Sequence, residues 1–200
     1  IGIADGEPAH LHGERRRGHH QVHQGIVVAV DEYQTYSIEE LVGNVPHGQL
    51  GLLVLLDGLE DPHNLGAILR TCDAIGVHGV IYGKHRSVSL GPTVAKVSTG
   101  AIDTVKVAEV TNLVQTLKYL KAQGYWVVGS DASGQDYRRF KYDTPLVLVI
   151  GSEGKGMSRL VKEACDYTVK IPMIGSVSSL NASVAAAVML YQIHNQRFPL

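Results

Sequence analysis

The residues best suited to chemistry fall into three short, widely separated stretches. They are Asn64-Leu65-Gly66-Ala67-Ile68-Leu69-Arg70, then Ile150-Gly151-Ser152-Glu153-Gly154-Lys155-Gly156, then Ile171-Pro172-Met173 running into Ser178-Ser179-Leu180-Asn181-Ala182-Ser183. Each joins an apolar strand pattern to polar or glycine residues and then to a helix pattern. Strand ends are where α/β enzymes build sites, so the three are expected to converge on one pocket.

The glycine loop is not a nucleotide phosphate loop. Such a loop needs Gly-Lys followed by Ser or Thr, whereas here Lys155 is followed by Gly156 and Met157. Glu153 would also set a carboxylate where phosphate oxygens belong. No Gly-x-Gly-x-x-Gly follows a strand, which leaves a dinucleotide site unsupported. The glycines do supply backbone that a ligand can approach closely, suited to a neutral or cationic molecule with a flat base. A tight turn capping the next helix is the plain alternative.

Arg70 lies six residues beyond Asn64, an offset that is only moderately co-facial, so Asn64 belongs either to the helix or to the loop that opens it. Among Ile68, Leu69 and Cys72, Arg70 is either a surface residue at the edge of an apolar stripe or a functional cation. Ser176, Ser178, Ser179, Asn181 and Ser183 precede an Ala/Val-rich helix pattern and include good N-cap residues. They exceed what one cap requires, and the excess points to hydrogen bonding with a ligand.

The elements that must hold these residues alternate. Strands are expected at Ile26 to Val30, Gly51 to Asp57, Val80 to Tyr82, Thr104 to Val107, Trp126 to Val128, Leu146 to Ile150 and Tyr167 to Ile171. Between them lie helix patterns at Ser37 to Val42, from Pro62 up to Gly76, at Pro92 to Ser98, from Leu113 to a stop at Gly124, and at Ser158 to Ala164. A long helix from about Asn181 to Asn195 closes the chain. The unbroken apolar run 52–56 is that of a strand buried on both faces of a parallel sheet. The fold class is therefore α/β, a mainly parallel sheet with helices on both faces.

The 200 residues, 44% of them hydrophobic, suffice for one domain with a proper core. A net charge of −1 offers no global attraction to nucleic acid. Basic residues cluster only locally, at Arg15-Arg16-Arg17, Lys84-His85-Arg86 and Arg138-Arg139-Phe140-Lys141. Residues 1–24 hold His10, His12, His19, His20 and His23 without apolar period or metal-ligand spacing, and read as a tail or linker. Cys72 and Cys165 lack Cys-x-x-Cys spacing and read as buried, reduced thiols of a cytoplasmic protein. No apolar run approaches the roughly 20 residues of a membrane span, and no secretory signal opens the chain.

From about His23 to Arg197, the three stretches in this order resemble the SpoU (TrmH) family of RNA ribose 2′-O-methyltransferases. The first motif matches at Asn64, Gly66 and Arg70, the second across 149–156, and the third at 171–173 with 178–183. The resemblance implies a C-terminal deep trefoil knot, a rare exception to unthreaded topology. It implies S-adenosylmethionine as methyl donor, no metal, and a homodimer. Donor-binding residues would be Gly151, Ser152, Glu153, Gly154, Ile171, Met173, Ser179 and Leu180. Catalytic residues would be Asn64, Arg70, Glu153, Ser179 and Asn181. His23-Gln24-Gly25 resembles the branch that modifies a guanosine of large-subunit (23S) ribosomal RNA. Relatives in that branch carry an N-terminal RNA-binding domain on a flexible linker, and residues 1–24 look like that linker with the domain missing. A transfer-RNA ribose methyltransferase of the same family and a non-catalytic RNA-binding or assembly protein are the alternatives, the latter separable by donor binding.

Overall fold

A computed structural model describes residues 22–23, 26–27, 33–85 and 87–199. The chain divides into units Ile1–Glu32 and Tyr33–Leu200. In the first, β1 (Val22–His23) pairs antiparallel with β2 (Ile26–Val27). The tail histidines other than His23, the arginines at 15–17, Arg86, the Gln24-Gly25 pair and the expected strand beyond Val27 lie outside the described residues.

The second unit is built on β3 (Leu52–Asp57), β4 (Gly79–Gly83), β5 (Val107–Val110), β6 (Trp126–Asp136), β7 (Leu146–Gly151) and β8 (Tyr167–Lys170). Their order across the sheet is β5-β4-β3-β7-β6-β8, and every pairing is parallel. Successive strand residues point to opposite faces, so an apolar run must meet helices on both. Leu52, Val54 and Leu56 of β3, with Leu146, Leu148 and Ile150 of β7, pack under α2 (Pro62–Ile75), α3 (Pro92–Ser98), α4 (Ala101–Thr104) and α7 (Ala182–Arg197). Leu53, Leu55, Val147 and Val149 face α1 (Ile38–Gly43), α5 (Leu113–Ala122) and α6 (Arg159–Ala164).

Local chemistry sets the ends of α2. Asp61 accepts a hydrogen bond from the His63 N–H at 2.8 Å, Pro62 fills the first turn, and Gly76 stops the helix at φ 72°. Asn64 lies inside this helix, not in the loop before it. Gly66 is where α2 and α3 touch, because a Cβ there would stand 2.7 Å from Val97 Cβ. Gly66→Ala therefore overpacks the contact and is expected to cost about 1–3 kcal/mol. A thermal melt checks this, and an unchanged melting temperature would show that the two helices can separate freely.

Two strands differ from the sequence reading. Residues 101–104 form the short helix α4, and the strand expected at 104–107 begins only at Val107, where it registers on Val80 of β4. The apolar pattern is too short to fix a boundary; pairing with β4 decides it. The strand starting at Trp126 runs on to Asp136, because β8 pairs with both its early and its late residues.

Candidate active site

Since β3, β6, β7 and β8 are adjacent and parallel, their C-terminal ends lie side by side. From the ends of β3, β7 and β8 come Asp57, the 151–156 loop and the 171–180 segment, and from the middle of β6 come Ser130–Ala132. The last three of these line a cavity of about 410 Å³. Gly151, Ser152, Glu153, Gly154, Ile171, Met173, Ser179 and Leu180 all contribute to its wall, as do Ser178, Lys155 and Lys170.

The glycine loop is a tight turn as well as a wall. Ser152 and Gly156 exchange backbone hydrogen bonds at 3.1 and 2.9 Å, with Gly154 and Gly156 at φ 77° and 68°. The turn folds so closely over the end of β7 that a Cβ on Gly151 would stand 2.2 Å from the Gly156 carbonyl carbon. Asp57 holds the far side of the loop, accepting a hydrogen bond from the Ser158 N–H at 2.6 Å. It thereby ties the residue that precedes α6 to the end of β3, while the Ser158 side chain makes no capping hydrogen bond.

The third stretch is capped by one residue. Asn181 Oδ1 accepts from the N–H groups of Ser183 (2.9 Å) and Val184 (3.4 Å), opening α7. Ser178 and Ser179 are thus left to line the cavity.

Asn64, Glu153 and Asn181, 117 residues apart at the extremes, come together in one cluster. Glu153 Oε1 accepts from Asn64 Nδ2 at 3.0 Å, from the Ala182 N–H at 3.1 Å, and from Asn181 Nδ2. Asn181 Nδ2 also donates to Asn64 Oδ1 at 3.0 Å. Asn64 is only 6% exposed, so this polar side chain is buried with its partners in place. A second cavity of about 200 Å³ adjoins the first, lined by Gly58, Leu59, Glu60, Asp61 and Asn64, and shares Ser152, Glu153 and Lys155 with it. Arg70 lines neither cavity: it is exposed on α2, six residues along from Asn64.

Sequence reasoning missed Asp57 and Asp131. A carboxylate ending an apolar strand was the available signal for Asp57, whereas Asp131 sits in a strand irregularity with no sequence signature. The cysteines lie away from the cavity wall. Cys72 is fully buried, which raises its thiol, and burial foremost raises Cys165 to about 11.

The larger cavity falls within the range of about 300–1,000 Å³ typical of small-molecule sites. Its glycine-backbone wall and the apolar residues Ile171, Met173 and Leu180 suit a flat heterocycle, and its serines and charged groups suit polar substituents.

Residues 51–191 match the SpoU rRNA Methylase family. The chain belongs to the SpoU/TrmH family of RNA methyltransferases. It is 51% identical over 180 residues to YacO of Bacillus subtilis (strain 168), whose name assigns it to the TrmH family of tRNA/rRNA methyltransferases; the alignment covers 89% of this chain and 72% of YacO. A Staphylococcus haemolyticus (strain JCSC1435) protein of the same family name is 54% identical over 177 residues, 88% of this chain and 71% of that one. Among solved structures, the SpoU methyltransferase AviRb of Streptomyces viridochromogenes, in complex with the cofactor AdoMet, superposes with a TM-score of 0.74 at 34% identity. That match covers 82% of this chain and 66% of AviRb. The A. aeolicus TrmH/SpoU tRNA modifying enzyme gives 0.69 at 32% identity, covering 80% and 81%.

Proposed function

We propose that this chain transfers a methyl group from S-adenosylmethionine to the ribose 2′-oxygen of a guanosine in large-subunit ribosomal RNA. The observation that carries the reading is the meeting of the second and third motifs at one cavity, with Asn64 of the first motif, Glu153 and Asn181 bonded together where the second cavity adjoins it. S-adenosylmethionine, when bound, supplies a methyl carbon made electrophilic by its sulfonium.

The chain's own residues hold and orient. Gly151, Ser152, Glu153, Gly154, Ile171, Met173, Ser179 and Leu180 form the donor wall, and the adjoining 200 Å³ cavity takes the acceptor ribose. Asn64, Ser179 and Asn181 orient that ribose, with Glu153 fixing both asparagines. Bringing the two reactants into line is the largest service such a site performs. Arg70 clamps a target phosphate and stabilises charge developing on the 2′-oxygen. The planar guanidinium fork serves here as a cation, and the 2′-hydroxyl proton released as the O–C bond forms passes to solvent water. Only RNA offers the 2′-hydroxyl.

Because Arg70 lines neither cavity of its own chain, we assign it to the donor site of a second copy. The homodimer this requires would use α7, whose Val184 and Tyr191 are 47% and 48% exposed although apolar or aromatic. The same reading makes 151–156 and 171–180 loops of a C-terminal trefoil knot, and residues 1–24 the linker from an RNA-binding domain. It places the protein in the cytoplasm with its RNA. Among the described residues, no helix is long and apolar enough to cross a membrane.

Transfer RNA is the second reading, favoured by the fold shared with the A. aeolicus tRNA modifying enzyme. Incubating the full-length protein and labelled donor with separate ribosomal and transfer RNA pools distinguishes them. Label on a single ribosomal guanosine ribose is the expected result; label confined to transfer RNA overturns the target, and label on a base overturns the chemistry.

A further inference from the structure

The ladder between β6 and β8 breaks at one place. Ser130 and Gln135 both register on Val169, so residues 131–134 leave the ladder as a bulge. Gly134 lets it form, since a Cβ there would stand 2.5 Å from the Thr168 carbonyl carbon. Bulges recur beside active sites because they re-aim a side chain. This one opens on the donor cavity, whose wall includes Ser130, Asp131 and Ala132.

Asp131 brings a charge to that wall. Its side chain is only 18% exposed. Oδ1 accepts from the Ser133 N–H at 2.9 Å and the Ser133 hydroxyl at 2.5 Å, while Oδ2 lies 2.9 Å from Lys162 Nζ. Burial works to raise the carboxyl's pKa, but the Ser133 hydroxyl, Lys162 and the Ser133 N–H outweigh it and hold it below the ordinary carboxylate value. The group is thus ionised at neutral pH. An ionised carboxylate offers about four lone-pair sites, of which these contacts occupy three. The other carboxylate of the wall, Glu153, accepts from Asn64, Asn181 and the Ala182 N–H, all on Oε1, and so is oriented by the motif cluster, whereas Asp131 is oriented by Ser133 and Lys162.

We infer that Asp131 is a donor-binding residue, its open Oδ2 lone pair accepting a hydrogen bond from a polar hydrogen of the S-adenosyl ligand, on the ribose diol or the ammonium. This rests on the donor-site reading above. Lys162 and Ser133 hold the carboxylate in one orientation before the ligand arrives, so little ordering is left to binding.

The competing role is purely structural, with Asp131 pinning the bulge to α6 through Lys162. Two variants separate the roles. Asp131→Asn keeps an oxygen for Ser133 and removes the charge, whereas Lys162→Met breaks the pin and leaves the carboxylate. Calorimetry with S-adenosylmethionine and with 5′-methylthioadenosine, which keeps the ribose diol and lacks the ammonium, reads the outcome. Asp131→Asn is expected to weaken S-adenosylmethionine binding by about 10- to 100-fold, the worth of a hydrogen bond to a charged group. Lys162→Met should lose much less, with melting temperatures confirming that both variants fold. An equal loss for 5′-methylthioadenosine in Asp131→Asn assigns the bond to the ribose, and a loss confined to S-adenosylmethionine assigns it to the ammonium. Wild-type affinity in Asp131→Asn, or an equal loss in Lys162→Met, overturns the inference alone. A wild-type chain that binds neither ligand overturns the donor-site reading and this inference with it.

Discussion

Arg70→Ala is expected to lower methyl transfer by about 10²–10³-fold, the usual loss when one stabiliser of developing charge is removed. Donor affinity should survive, because Arg70 is assigned to the target phosphate, while the glycine loop and the 171–180 segment form the donor wall. Turnover with labelled donor and calorimetry on the same preparation test both halves. Loss of donor binding would refute the division of labour between the guanidinium and the glycine loop. Arg70→Lys keeps the charge but not the planar fork, and should recover only part of the rate.

Mixing variants tests whether Arg70 works across subunits. Arg70→Ala retains an intact donor pocket, and Gly151→Ala retains an intact Arg70. If Arg70 serves the partner, mixed dimers contain one complete site and regain activity that neither variant has alone. If it serves its own chain, mixing restores nothing.

Gly151→Ala carries the second large effect. The new Cβ would lie 2.2 Å from the Gly156 carbonyl carbon and 2.3 Å from the Met157 nitrogen, and neither is a flexible side-chain end. The backbone turn must move off the end of β7, carrying Ser152, Glu153 and Gly154 with it. Since Glu153 holds Asn64 and Asn181, the displacement spreads to both neighbouring motifs. Donor binding is expected to fall by more than about 100-fold, as misplacement at a preorganised site commonly costs. Gly154→Ala provides the contrast. Nothing lies within 4 Å of its would-be Cβ, so only the left-handed backbone at φ 77° resists, at about 1–2 kcal/mol. Equal donor affinities in the two variants would show that the turn tolerates displacement.

The alternation of apolar runs and helix patterns was enough to read the α/β class, because periodicity is local and a strand buried on both faces announces itself by an unbroken run such as 52–56. End signals were equally legible: Pro62 and Gly76 bound α2 as expected. Boundaries set by a distant partner were not. Val107 begins a strand because Val80 is beside it, and Trp126 to Asp136 is one long strand because β8 follows both ends of it.

By itself, the order of residues determined which three motifs carry the chemistry and the family they belong to, since residue type and spacing are properties of the chain alone. Tertiary structure decided how the motifs divide the work. It buried Asn64 against Glu153 and Asn181 while leaving Arg70 on the outer side of the same helix. It gave the cap of α7 to Asn181, freeing two serines for the cavity, and it turned Asp131 onto that cavity through a bulge. Each of these depends on contacts between residues tens to a hundred positions apart, where the identity of a side chain says nothing until the sheet has placed its neighbours.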